Sequence, residues 1–158
     1  MPKLAVFSLL ALAIAVSAGA LAQGSPPAPA FRPSLGDLMT MTVQPRHLKL
    51  GLAGQEKNWA LAAYQLHELE ESFESVAHAW PKWQQVEIAA TIKATMEAPL
   101  EAVERAIKAS DAARFAETYA RLTETCNACH QSANVGMIVI QVPKSSPFAN
   151  QDFRPRKQ

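Results

Sequence analysis

Cys126-Asn127-Ala128-Cys129-His130 is the stretch of this chain whose residue types and spacing can do chemistry, and it holds both of the chain's cysteines. Two thiols three apart with an imidazole directly after them form the attachment pattern of c-type haem. Each thiol adds across one vinyl group of a single porphyrin, so both must reach the same edge of the macrocycle. On a helix, residues three apart are surface neighbours, about 5–6 Å between Cβ atoms, which suits two thioethers. His130 lies four after Cys126 and can swing under the ring to bind iron as the proximal ligand. A disulfide would need Cβ atoms about 3.8 Å apart, closer than a regular helix holds them. A zinc site asks for four ligands, and the motif offers three crowded neighbours with no second pair. A thioredoxin-like redox pair belongs beside a βαβ pattern, which this chain lacks. One covalent haem c is therefore the leading expectation, with disulfide or redox use of the pair as what remains.

The first residues point to export. Lys3 gives a positive start, Leu4 to Val16 is an almost unbroken apolar run, and Ala20-Leu21-Ala22 supplies a small-x-small cleavage pattern. The run is shorter than the about 20 residues a membrane span needs. Residues 1–22 thus read as a cleaved signal peptide, leaving no membrane anchor and a mature chain starting at Gln23. Export agrees with haem attachment outside the bacterial cytoplasm and places the mature protein in the periplasm. Residues 23–33, with Pro26, Pro27 and Pro29, read as a stiff linker.

The formal net charge is +1, and no basic stripe suggests nucleic acid. Residues 34–131 carry 9 basic and 13 acidic side chains, whereas 132–158 carry 4 and 1. The tail is therefore a candidate to lie across an acidic body. No nucleophile with an attendant base and no paired carboxylates in a cleft are apparent, so an enzyme is not expected. Glu70-Glu71 and Glu101 with Glu104 read as solvated helix faces, and His67 and His78 as solvated flanks.

Four amphipathic segments must position the motif. In the first, Leu35, Met39, Val43, Leu50 and Ala53 share one helical face with His47, and Pro45 is expected to kink or restart the helix. The second runs from an N-cap at Asn58 to Pro81. Its apolar seam, Trp59, Ala62, Leu66, Leu69, Phe73, Val76 and Trp80, steps by threes and fours. The third spans about residues 84–109 with Ile88, Ile92, Met96, Leu100, Val103 and Ile107, divided at Pro99. Ser110-Asp111 caps the fourth, whose stripe Phe115, Tyr119, Leu122, Cys126, Cys129 and Ala133 turns both thiols towards the core. The pattern gives an all-α chain, an antiparallel four-helix haem-binding domain over 34–133. An extended C-terminal arm over 134–158 follows, in which Met137 to Val142 is apolar and β-branched.

The attachment motif near the end of a helical chain, preceded by Ala109-Ser110-Asp111-Ala112-Ala113 and Leu122, resembles the class II c-type cytochromes, the cytochrome c prime family. That family is built as four-helix bundles. Class I cytochromes carry the motif near the start, with a methionine ligand far downstream. The resemblance covers roughly residues 34–131. It implies that Arg46 lies near the haem propionates and Leu50 over the distal iron face, and that homodimers form through the first two helices. Pro45, His47 and the arm from Val135 onward depart from the family pattern.

The sixth iron position decides the function. With His130 alone, the iron is open to nitric oxide or carbon monoxide; a second protein ligand makes a closed electron carrier. Candidates for that ligand are His47 or a methionine, with Met39, Met41 and Met96 ahead of Met137. The leading expectation is an exported monohaem cytochrome that transfers single electrons between redox partner proteins. The alternatives are a gas-binding cytochrome, and a haem subunit that docks on a periplasmic enzyme through the arm.

Overall fold

The computed structural model describes residues 31–156. The expected signal peptide, 1–22, and most of the linker at 23–33 lie outside the described residues. Ser34 opens the first helical segment with a reciprocal cap, its Oγ accepting from Asp37 N at 3.0 Å while Asp37 Oδ2 accepts from Ser34 N at 3.1 Å. The segment comprises α1 (Leu35–Leu38), a π-helical turn (Met39–Val43) and α2 (Gln44–Gln55). Pro45, expected to kink or restart the helix, sits in the first turn of α2. The widened turn before it, in which Gln44 N–H reaches Met39 O, moves the preceding carbonyls off the path of the proline ring. The backbone stays right-handed helical on both sides.

Helix α3 (Trp59–Ala79) starts as expected at Asn58, whose Oδ1 accepts from Leu61 N at 3.2 Å. It ends at Trp80, just before Pro81, and the Trp80 indole donates to Pro33 O at 2.9 Å. Its expected seam is buried from Ala62 to Val76, with the terminal Trp59 and Trp80 only partly covered. A tight turn follows, closed by paired backbone bonds between Trp83 and Val86, with Gln84 at φ 51°. Helix α4 therefore begins at Ile88, not near residue 84, and runs to Lys108. It also continues unbroken through Pro99, where a division was expected. The reason is energetic: an interior proline costs about 3 kcal/mol. Burial of Met96, Leu100, Val103 and Ile107 along one face returns about 1.5–3 kcal/mol each.

Helix α5 (Ala112–Ser132) is capped by Asp111, whose Oδ1 accepts from Arg114 N at 3.0 Å. Sequential helices pack on one another, and α2 also meets α5, giving a helical bundle around Leu50, Leu69, Val76, Val103, Tyr119 and Leu122. Gly51 and Gly54 permit the α2–α5 approach. A Cβ at Gly51 would stand 2.5 Å from the Tyr119 hydroxyl, and one at Gly54 would overlap the Phe115 ring.

Residues 135–156 form neither helix nor strand and lie back along the bundle. Gln55 donates to Pro143 O at 2.9 Å, Asn58 Nδ2 donates to Phe153 O at 3.1 Å, and Phe153 is buried. These contacts are apolar or hydrogen-bonded. Arg154 pairs within the tail, with Asp152 at 2.8 Å, and Glu56 of the body acts on it at longer range. Among the described residues no helix is long and apolar enough to cross a membrane.

Candidate functional site

The C-terminal turns of α5 bring the motif to the wall of a mainly apolar cavity. Its volume is about 180 Å³, and part of it opens to solvent. Cys126, Cys129 and His130 all line it. Facing them are Leu35, Met39 and Val43 from α1 and the π turn, and Ile88, Ile92 and Met96 from α4. Phe73 of α3 and Trp83 of the tight turn close one side, and Val135, Ile138 and Ile140 of the arm close another.

Both cysteines are free thiols, Cys126 buried and Cys129 half-buried. Burial pushes the Cys126 thiol up to about 12, with the neighbouring Cys129 adding to the effect. Burial raises Cys129 as well. Neutral, poorly solvated thiols on an apolar wall are weak nucleophiles in the free chain, unlike a poised redox pair. His130 Nδ1 lies 2.8 Å from Ile138 O. A carbonyl only accepts, so Nδ1 carries the proton, and in the neutral ring Nε2 keeps its lone pair for a metal. No group of three or more His, Cys, Asp or Glu able to hold a bare metal ion occurs among the described residues. A porphyrin brings four nitrogens of its own and needs only one axial protein donor. Two thiols and one oriented imidazole converging on an apolar wall are the donor set that haem c takes.

His47 also borders the cavity, but its Nε2–H is engaged. Thr123 Oγ1 donates to Tyr119 O at 2.9 Å and therefore accepts from His47 Nε2–H at 3.0 Å. The Tyr119 hydroxyl lies 3.1 Å from Nδ1 and donates to His47 O at 2.8 Å. The two rings stack with centroids 4.8 Å apart. Burial lowers the imidazole from 6.5 to about 4 and raises the Tyr119 phenol. Ligation of iron through His47 Nε2 would require that nitrogen to give up its proton and leave Thr123. Of the methionines, Met39 and Met96 line the cavity, while Met41 and Met137 are 74% and 81% exposed.

Arg46 and Leu50, which the family resemblance put at the propionates and the distal face, do not line the cavity. Arg46 binds Glu68 of α3, Nη2 to Oε2 at 3.1 Å, and Leu50 is wholly buried in the core. The part of the first segment that faces the motif is its N-terminal half, Leu35 to His47, so Leu50 falls one turn beyond. Asn127 and Ile138 were not singled out from the sequence. Alternation of Ile138 and Ile140 within Met137 to Val142 was the available signal, since residues two apart in extended chain share a face.

Compared with protein-family models, curated proteins and solved structures, the chain has no match in any of the three.

Proposed function

We propose that the chain is an exported, periplasmic monohaem c-type cytochrome, not an enzyme, that passes single electrons between redox partner proteins. In this reading Cys126 and Cys129 hold haem c through thioethers, His130 is the proximal iron ligand, and residues 34–133 form an antiparallel four-helix domain as in the cytochrome c prime family. The observation that carries the reading is the convergence of both free thiols and a His130 ring with Nε2 available on one apolar cavity. Bound there, haem supplies a one-electron iron couple and, where no second protein ligand is present, a position for a diatomic gas.

The chain's own residues supply the rest. Ile138 O keeps the proton on Nδ1 and so presents Nε2. Ile88, Ile92, Met96 and Phe73 exclude water from the cavity wall and, together with the hydrogen bond to the proximal ring, tune the potential. A second reading, binding of nitric oxide or carbon monoxide, is favoured by the hydrogen bond of His47 Nε2–H to Thr123 and the stacking of its ring on Tyr119, which hold that imidazole back from the sixth position.

Production in a host competent for cytochrome c maturation tests both readings. A carrier is expected to show a reversible one-electron optical titration and no reaction of the ferrous form with carbon monoxide. A carbon monoxide adduct selects the gas-binding reading. A chain without a redox-active chromophore refutes both.

A further inference from the structure

We propose that the C-terminal arm is the orienting partner of the proximal ligand: Asn127 clasps Ile140 and so holds the Ile138 carbonyl on His130 Nδ1. The proposal rests on the haem reading of Cys126, Cys129 and His130, and it assigns Asn127, inside the attachment motif, as a positioning residue. Its amide makes two bonds to one arm residue. Asn127 Nδ2 donates to Ile140 O at 2.9 Å, and Ile140 N donates to Asn127 Oδ1 at 2.7 Å. A neighbouring strand would make the same reciprocal pair, so the side chain stands in for strand backbone.

Two residues earlier, Ile138 O accepts from His130 Nδ1 at 2.8 Å. Backbone groups two apart in extended chain lie along one edge, so fixing Ile140 fixes the Ile138 carbonyl. Asn127 and His130 are three apart on α5, hence neighbours on its surface. The return from helix to clasp is short and is itself hydrogen-bonded, Val135 N to His130 O and Ile138 N to Val135 O, each at 2.9 Å. The arm therefore has one register on α5. Its Val135, Ile138 and Ile140 side chains line the cavity while its carbonyl selects the His130 tautomer. A carbonyl partner on the far nitrogen raises the basicity of an imidazole ligand and restricts its rotation.

The test compares full-length, haem-matured wild type with Asn127→Ala and Asn127→Asp. The aspartate variant keeps an acceptor for Ile140 N–H but loses the donor to Ile140 O. Loss of the clasp is expected to lower the iron–histidine stretching frequency in resonance Raman spectra and raise the reduction potential. Asn127→Asp is expected to fall between wild type and Asn127→Ala. Unchanged frequency and potential in Asn127→Ala overturn the proposal. In parallel, nitrogen-15 spectra of His130 in the full-length thiol form are expected to show one Nδ1–H tautomer in wild type and a mixture in Asn127→Ala. Should wild type carry no haem, the haem reading fails, yet this second measurement still decides the clasp: equal tautomer populations in the two proteins refute it.

Discussion

His47 gives the sharpest quantitative test of how this interior is wired. Its ring is 3% exposed and tied to Thr123 and Tyr119, and burial holds its pKa at about 4 instead of 6.5. As pH falls through 6.5 the unfolded chain takes up the proton first, while the folded chain refuses it until about pH 4. The stability conferred by a neutral His47 is thus fully present above the unfolded pKa and is lost between pH 6.5 and about 4. At about 1.4 kcal/mol for each pH unit separating the folded and unfolded values, the loss is about 3 kcal/mol across that window. Urea unfolding of wild type and His47→Gln at pH 7, 5.5 and 4 isolates this quantity. Carboxylates with depressed pKa values, Glu68 and Asp152, are common to both proteins and cancel in the difference. His47→Gln is expected to be less stable at pH 7 but to lose about 3 kcal/mol less on acidification. Parallel stability curves would refute the reasoning. In the matured protein the same substitution is expected to leave the optical spectrum unchanged. A rise in the high-spin fraction would return His47 to the sixth iron position.

Three further outcomes test the packing. Gly54→Ala drives a methyl into the Phe115 ring and is expected to destabilise by about 1–3 kcal/mol, read by thermal unfolding; a neutral substitution would mean that α2 and α5 are farther apart. Arg46→Ala removes only a part-exposed pair with Glu68, so less than about 1 kcal/mol is expected, with haem uptake and potential unaltered; a shifted potential would support a propionate role. Pro99→Ala restores an N–H inside continuous α4 and is expected to stabilise by about 1–3 kcal/mol in denaturant titrations, whereas a helix divided at this point would gain nothing.

The sequence was most legible where one physical signal acted alone. The Trp59–Trp80 periodicity, the Asn58 and Asp111 caps and the thiol-bearing face of α5 all follow from side-chain spacing and hydrogen-bonding type, and all are present. Prolines were less legible because their effect depends on surroundings. Pro45 restarts the helix as expected, in the first turn of α2 after a single widened turn, whereas at Pro99 core burial outweighs the broken ladder. The far side of the site was least legible. Val43, His47 and Leu50 share one buried face as their spacing predicts, but Leu50 lies a turn beyond the cavity along the helix. The sequence predicts an extended arm, but its register depends on the Asn127 amide and a backbone carbonyl. Neither leaves a trace in hydrophobic periodicity.

Peptide mapping by mass spectrometry of the matured, exported chain bears most directly on the function argued for it. A single peptide containing Cys126-Asn127-Ala128-Cys129-His130 is expected to carry one haem joined through both sulfurs, with the chain beginning at Gln23. The same peptide recovered with both thiols unmodified, or joined to each other, would contradict the assignment.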